Sequence, residues 1–221
     1  MQVINWEEYI KNRGGANFNN ASELHAGILN HVNCSLALTV GVFDGVHLGH
    51  QALIQRICES SFLPTVVTFR QNPAGVLKTA LGTRQTLTGD IFSLEQKLHV
   101  LETLGVALAV LIDFSENFSK MNGRDFIDLL LSSRPVKLIA LGRNFRCGHL
   151  LDTGVEEIQN IASLLGVETW VTPPVMDKGL PVSSSRIRQA LAAGRMQEAQ
   201  RLLGRSIKMN SAKDATYSLT I

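Results

Sequence analysis

Short apolar segments alternate with segments of helical periodicity along most of this chain, and this alternation constrains the fold more than any other feature. The first apolar segment is 36–40, and in the following segment, 48–58, apolar residues recur at helical spacing. The same pattern predicts further strands at 64–69, 107–112, 136–141 and 168–172, and further helices at 93–104, 124–131 and 155–165. Apolar strands separated by helices are typical of a parallel sheet covered on both faces, so we expect an α/β fold with a doubly wound parallel sheet.

The C-terminal part of the chain departs from this alternation. After two consecutive prolines, the periodicity predicts a pair of short helices at 184–193 and 196–203. The last part, 206–221, is polar and has no helical period. Three interpretations of it stay open: an ordered edge strand, because its end is β-prone, a linker, or the remnant of a further domain. We therefore expect one domain over residues 1–205, followed by a C-terminal tail.

Composition excludes several classes of protein. Of the 221 residues, 45% are hydrophobic and 18% charged, which is enough for a packed core and excludes a mainly disordered chain. Because 21 Lys and Arg face 19 Asp and Glu, the net charge is only +2, which disfavours a dedicated nucleic-acid binder. The longest apolar run, 106–112, is far shorter than the roughly 20 residues that span a membrane, and the three cysteines have neither disulfide nor metal spacing. We expect a cytoplasmic protein that binds neither nucleic acid nor membranes.

The segment 41–50, Gly-Val-Phe-Asp-Gly-Val-His-Leu-Gly-His, joins the first predicted strand to a helix and suits a polyphosphate. Free amides and the dipole at a helix N-terminus favour an anion. Gly49 lets a phosphate approach the backbone, while His47 and His50 can donate hydrogen bonds to its oxygens. Alternatively, the histidines merely cap and solvate the helix start. A zinc site lacks a third ligand nearby, so we expect no metal held by the protein, and the glycines fit neither a Gly-x-Gly-x-x-Gly motif nor a P-loop.

A second candidate anion site lies at the start of the next-to-last predicted helix. Residues 182–188 read Val-Ser-Ser-Ser-Arg-Ile-Arg. Ser183 or Ser184 can cap the helix, and the hydroxyls together with exposed amides form a cradle for an anion. Arg188 can bind phosphate oxygens through its planar guanidinium. The alternative is an ordinary capped helix with a cationic face.

Two loops at strand ends hold further candidates. Asn144 and Arg146 follow a predicted strand, so they can point into the crevice beyond the strand ends, although an ordinary connecting loop would look the same. Thr68 and Phe69 end another predicted strand, with Asn72 shortly after. Phe69 suits the core as well as it suits a stacking platform for a ring.

Taken together, these motifs resemble the FMN adenylyltransferase (FAD synthetase) module of the bacterial bifunctional riboflavin kinase/FAD synthetases, in the His-x-Gly-His nucleotidylyltransferase superfamily. The matching stretches are Gly-x-Phe-Asp-Gly-Val-His-x-Gly-His at 41–50, Thr-Phe-x-x-x-Pro at 68–73, Leu87, Thr88, Lys97 and 104–106, the aromatic residues Phe114 and Phe118, Ser-Ser-Ser-x-Ile-Arg at 183–188, and Ala-x-x-Leu-Leu-Gly-Arg at 199–205. The chain departs from the family pattern at Asn72, Cys147 and Pro181.

The resemblance implies a Rossmann-like enzyme that transfers AMP from ATP to FMN and yields FAD and pyrophosphate, by in-line attack without a covalent enzyme intermediate. It implies Mg²⁺ bound with ATP. Because nothing after Arg205 resembles a kinase module, it also implies that FMN comes from elsewhere, from a separate riboflavin kinase or from a severed kinase domain. Two alternatives stay open: a nucleotidylyltransferase for another phosphate acceptor, and a non-catalytic paralogue that binds flavin or nucleotide.

The resemblance also implies roles for individual residues. The catalytic residues are expected to be His47, His50, Asn144 and Arg188. ATP is expected to contact Gly41, Phe43, Asp44, Gly45, Gly49, Ser184 and Ser185. FMN is expected to contact Thr68, Phe69, Asn72, Phe145 and Arg146. Within this set, His50 is placed nearest the α-phosphate, and Ser184, Ser185 and Arg188 near the departing pyrophosphate.

Overall fold

A computed structural model of the chain describes residues 1–11, 35–73, 90–211 and 216–219, and the match at Leu87 and Thr88 lies outside them. The strands are β1 (Gln2–Asn5), β2 (Leu36–Val40), β3 (Leu63–Phe69), β4 (Leu108–Ile112), β5 (Val136–Gly142), β6 (Arg146–Cys147), β7 (Thr153–Gly154), β8 (Glu168–Thr172), β9 (Met176–Asp177), β10 (Leu180–Pro181), β11 (Ile207–Ser211) and β12 (Thr216–Leu219). Six of them form one parallel sheet in the order β1-β4-β3-β2-β5-β8. The others pair antiparallel, β6 with β7, β9 with β10 and β11 with β12.

The α-helices of the described residues are α1 (Trp6–Ile10), α2 (Leu48–Cys58), α3 (Leu94–Thr103), α4 (Glu116–Ser119), α5 (Gly123–Ser132), α6 (Val155–Leu164), α7 (Ser184–Ala192) and α8 (Met196–Leu203). The α1 and α4 helices were not predicted, and each of the others begins and ends within one residue of its predicted bounds. A capping box begins α3, because Ser93 Oγ accepts from the Gln96 amide (3.2 Å) and Gln96 Oε1 from the Ser93 amide (3.0 Å). The predicted C-terminal pair of helices is present as α7 and α8.

Both faces of the sheet are covered by helices. On one face, Leu36, Leu38 and Val40 of β2 belong to a buried cluster with side chains of α1, α5 and α6. On the other face, Ala37 belongs to a second cluster with side chains of α2, α3, α7 and α8. Successive residues of a strand point to opposite faces, so one short strand contributes to both clusters. This architecture confirms the expected doubly wound α/β fold.

The N-terminal strand and helix extend the sheet beyond the predicted elements. Strand β1 pairs parallel with β4, with Gln2 opposite Leu108. The next helix buries Trp6 and Tyr9, and the Tyr9 hydroxyl donates to the Leu130 carbonyl (2.8 Å). Because only Ile4 of this strand is buried, its sequence has no apolar run from which a strand would be predicted.

The tail forms a hairpin in the part that the structure describes. Strand β12 pairs antiparallel with β11 in a sheet of two strands, and the three interpretations of the tail stay predictions. Ile207 at the start of the hairpin joins the cluster around α7 and α8. None of the helices formed by the described residues is long and apolar enough to cross a lipid bilayer.

Candidate active site

A cavity of about 710 Å³ lies beyond the carboxyl ends of the parallel strands, where ligands bind in doubly wound sheets. The connection from β2 to α2 divides the cavity into two sides. The ends of β3 and β4 lie on one side of β2, and the ends of β5 and β8 lie on the other. Of the predicted site residues, those in the lining are Gly41, Phe43, His47, Gly49, His50, Phe69, Asn144, Phe145 and Arg146. Those outside the lining are Asp44, Gly45, Thr68, Asn72, Ser184, Ser185 and Arg188.

The connection from β2 to α2 has an unusual backbone. Phe43 and Val46 have positive φ angles of 52° and 40°, and Gly45 has one of 74°. Glycine tolerates this left-handed conformation, whereas a residue with a side chain adopts it at a cost of about 1–2 kcal/mol. Phe43 and Val46 are fully buried, so their packing holds them in this conformation. Such backbone strain concentrates at ligand-binding sites.

Side chains from other elements bind the carbonyl groups of the same connection. Gln51 Nε2 donates both to the Val46 carbonyl (2.9 Å) and to the Leu203 carbonyl at the end of α8 (2.8 Å). The Arg205 guanidinium donates to the carbonyls of Gly45 (3.3 Å) and Val46 (3.0 Å). The C-terminal helix pair therefore stabilises the connection that carries both histidines.

His47 and His50 stack at the start of α2, with ring centroids 3.7 Å apart. His47 Nδ1 accepts a hydrogen bond from the His50 amide (3.3 Å), which assigns the imidazole proton to Nε2. Burial, together with the nearby Arg205 cation, lowers the pKa of His47 from 6.5 to about 4. Burial also lowers the pKa of His50 well below 6.5, and its Nδ1 has no hydrogen-bond partner among the described residues. Both rings are therefore neutral at pH 7 and can act as N–H donors.

Two of the residues that are predicted to hold the departing pyrophosphate, Ser184 and Arg188, contact the β2–α2 connection. Arg188 forms an ion pair with Asp44, and Ser184 Oγ donates to the Asp44 carbonyl (2.9 Å). Only 5% of Asp44 is exposed, and its Oδ1 also accepts from the Ile91 amide (2.8 Å). Burial raises the pKa of Asp44, and the Arg188 cation opposes this rise. The structure thus gives Arg188 a partner that its motif did not predict, and contact of these residues with phosphate stays a prediction.

Lys97 is a buried cation for which sequence reasoning predicted no role. Its Nζ donates to the Phe69 carbonyl (2.6 Å), with longer contacts to the Val42 carbonyl and Thr68 Oγ1 (both 3.4 Å). Thr68 Oγ1 in turn donates to the Val42 carbonyl (2.9 Å). Burial lowers the pKa of this lysine. The Lys97 side chain therefore holds the ends of β2 and β3 together. The sequence signal for this role is a lysine among the apolar positions of α3.

The loop after β5 brings polar side chains to the cavity. Asn144 lines it, as predicted, and so does its exposed neighbour Arg143, which sequence reasoning missed although it directly follows a strand end. Arg146 also lines the cavity, but its guanidinium donates to the carbonyls of Leu151 (2.7 Å) and Asp152 (3.3 Å). Arg146 therefore holds its own loop in place.

The two sides of the cavity differ in character. Beyond β3 and β4, the rings of Phe69, Phe114 and Phe118 meet edge to face with centroids 5.8–6.1 Å apart. Such a wall suits a flat ring. Beyond β5 and β8 the lining includes the strand ends Gly142 and Thr172 and the residues that follow each strand. Thr172 Oγ1 is buried there without a hydrogen-bond partner among the described residues.

Carboxylates are missing from the part of the lining that the structure describes. In the same residues, no three His, Cys, Asp or Glu side chains come together as a metal site would require. The cavity therefore offers donors for anions and apolar surface for rings.

The family of this chain follows from its match to a family model. A family model described as FAD synthetase matches residues 29–186, more than half of the chain. The chain belongs to the FAD synthetase family. The resemblance inferred from the motifs is thereby confirmed.

Individual members of the FAD synthetase family are distant relatives. The bifunctional riboflavin kinase/FMN adenylyltransferase of Escherichia coli K12 is 32% identical over 172 residues, which cover 76% of this chain and 53% of that protein. A FAD synthetase of Listeria monocytogenes is 26% identical over 170 residues, covering 76% of this chain and 68% of that protein. This chain spans between half and three fifths of the length of the first bifunctional relatives it matches. Among solved structures, a Streptococcus pneumoniae protein described as a macrolide-efflux protein is similar, with a TM-score of 0.67 and 29% identity over 78% of this chain and 56% of that one.

The buried histidines predict that acid weakens the fold. Because the pKa of His47 is about 4 when folded and 6.5 ordinarily, the unfolded chain takes up the proton first as the pH falls. The free energy of unfolding should therefore decrease between pH 6.5 and pH 4, by up to about 1.4 kcal/mol per pH unit for this histidine, and not depend on it above pH 6.5. Urea unfolding at pH 7.5 and pH 5.0 measures the loss.

His47→Asn is the matched variant for this measurement, because asparagine keeps a cap acceptor for the His50 amide without titrating. The variant should lose less stability than the wild type between the two pH values. Equal losses in both proteins would show that His47 is protonated to the same extent in the folded and unfolded chains.

Proposed function

We propose that this protein is an FMN adenylyltransferase, which transfers AMP from ATP to FMN and releases pyrophosphate. The observation that carries the proposal is the position of His47 and His50 in one cavity, between phenylalanines beyond β3 and β4 and the open strand ends of β5 and β8. That arrangement suits two ligands whose reacting groups meet at the histidines. Membership of the FAD synthetase family and the names of its members support the same reaction.

In the proposed reaction, a phosphate oxygen of FMN attacks the α-phosphorus of ATP in line. A new P–O bond forms, the bond from the α-phosphorus to the bridging oxygen breaks, and pyrophosphate leaves with the electron pair. A phosphate monoester has a second pKa of about 6, so it is already a nucleophile at pH 7 and needs neither a general base nor a covalent enzyme intermediate. The protein contributes positioning and stabilisation of charge.

The histidines stabilise that charge as neutral donors. His47 presents Nε2–H because its Nδ1 accepts from the His50 amide, and His50 lies one helical turn further along. Both donors are fixed before the reaction begins, so little reorganisation opposes their interaction with the α-phosphate in the transition state. The free amides at the start of α2 and the Asn144 amide add further donors.

Each ligand has a side of the cavity that suits it. The isoalloxazine ring of FMN would lie against Phe69, Phe114 and Phe118, while the nucleoside of ATP would lie across the ends of β5 and β8, where Thr172 Oγ1 offers a hydrogen-bonding group. Because the described lining has no carboxylate, Mg²⁺ would be held by the phosphates of ATP, whose charge it neutralises. Arg188 and Ser184 would stabilise the departing pyrophosphate through the connection that they hold.

FMN must be supplied by a riboflavin kinase. The E. coli relative is named for both activities, and this chain matches only 53% of that protein. We propose that a riboflavin kinase, either a separate protein or a module joined to this one, supplies the FMN.

The test is a direct assay of the purified protein. Mg-ATP and FMN are supplied, FAD is measured by chromatography and pyrophosphate by a coupled assay, and riboflavin serves as a parallel substrate. FAD and pyrophosphate formed from FMN in equal amounts, with no product from riboflavin, is the expected result. Saturable FMN and ATP binding without pyrophosphate would instead identify a non-catalytic binding protein. Turnover with another phosphate acceptor but not with FMN would assign a different nucleotidylyltransferase.

A further inference from the structure

Two consecutive leucines in the loop between β6 and β7 are exposed in a strained conformation. Leu150 is 87% exposed and Leu151 is 58% exposed, and both have a φ of 56°. A left-handed backbone is disfavoured for leucine by sterics, and an exposed leucine gains nothing from packing that would offset it. The folding of the chain alone therefore does not account for these two residues, and strain of this kind is associated with ligand contact.

The turn that carries the leucines is anchored at both ends. Before them, the His149 amide donates to the Met121 carbonyl (2.9 Å). After them, Arg146 Nε donates to the Leu151 carbonyl (2.7 Å). The chain also enters the turn through a close backbone contact, since a Cβ on Gly148 would collide with the amide nitrogen of Gly123 at the start of α5. The position of the turn is therefore fixed.

The anchors place the turn on the aromatic side of the cavity. Met121 lies between α4, which carries Phe118, and α5, which carries Phe126, and all three residues line the cavity. Leu150 and Leu151 line the same cavity. The turn therefore presents two aliphatic side chains at the phenylalanine wall, on the side where the rings of FMN are proposed to bind.

We propose that Leu150 and Leu151 form the outer wall of the ring-binding side and select acceptors that carry a flat, apolar ring system. This inference rests on the proposed function. The leucines would cover a part of the ring that the phenylalanines leave in contact with water, while the acceptor phosphate reaches the histidines. An acceptor with the same phosphate but no rings would gain nothing from them.

The test uses Leu150→Asn, Leu151→Asn and the double variant. Asparagine tolerates the left-handed conformation, so the backbone of the turn should persist while the apolar contact is lost. Each single variant should raise KM for FMN about tenfold. KM for ATP, the melting temperature and kcat/KM for ribitol 5-phosphate, an acceptor without rings, should stay unchanged. Leu164→Asn is the matched control, because Leu164 is 83% exposed at the end of α6 and outside the described lining.

The outcomes separate this inference from the proposed function. If the wild type forms FAD and the double variant has the same KM for FMN as the wild type, Leu150 and Leu151 do not form the outer wall. A rise in both KM values with a lower melting temperature would also overturn it, because that result indicates a structural role. If the wild type forms no FAD, the proposed function fails, and binding of lumiflavin, the ring system alone, is measured by fluorescence. Roughly tenfold weaker lumiflavin binding in the variants would still support the wall, and equal or absent binding would overturn it.

Discussion

Replacing His50 with alanine is expected to lower kcat for FAD formation about 10²–10³-fold. The substitution removes a fixed, neutral donor that is proposed to bind the α-phosphate as charge develops, so kcat should fall more than KM for ATP rises. The fold should persist, because the cap acceptor of α2 belongs to His47. Steady-state kinetics with FMN and ATP, together with a thermal melt, measure both effects.

Two further variants make the result specific to the histidine pair. His99→Ala removes an exposed histidine of α3 that is outside the described lining of the cavity, and it should leave kcat unchanged. His47→Asn keeps the cap and removes the Nε2 donor, so it should lower kcat to a similar extent. Turnover close to that of the wild type in His50→Ala would contradict the proposed role of this donor.

Arg188→Met is expected to reduce the free energy of unfolding by about 3 kcal/mol. The substitution leaves the buried Asp44 carboxylate without the cation of its ion pair, while the methionine retains much of the apolar volume of the arginine stem. Adding Asp44→Asn removes the stranded charge, so the double variant should regain most of the stability. FAD formation should stay low in both variants, because the support of the histidine-bearing connection is lost in each.

Urea unfolding of the single and double variants measures the coupling between these two residues. Arg195→Met is the matched control, since its partner in an ion pair is Glu198 and the arginine side chain is 55% exposed. An exposed pair of this kind should contribute less than about 1 kcal/mol. Equal, small losses for Arg188→Met and Arg195→Met would contradict the interpretation of the Asp44 pair as a buried one.

The sequence predicted the sheet and its covering helices well because their signals are local. Strand β2 is buried throughout and apolar except at Thr39, and the helices repeat apolar residues at a fixed spacing. The β1 strand has no such signal, since an edge strand with one buried side chain does not require an apolar run. The β11–β12 hairpin was not recognised because a polar segment fits a linker and a strand equally well.

The part of the site with a local sequence signal was predicted, and the rest was not. His47 and His50 belong to one short string at a strand end, so their place in the cavity followed from local spacing. The contacts that support them join distant parts of the chain: Arg188 and Asp44 are separated by 144 positions, and Arg205 and Val46 by 159. Lys97 likewise binds carbonyls that only the folded sheet brings together. No spacing rule within a motif reveals such pairs.

The dependence of the histidine-bearing connection on Leu203 and Arg205 has a consequence for the newly synthesised chain. A ribosome produces residues 41–50 long before it produces α8, so the nascent chain contains both histidines but lacks the donors and acceptors that hold their backbone. The geometry that is proposed to bind nucleotide is therefore complete only after the C-terminal helices have docked on this connection. Chains that end before α8 are expected to lack it.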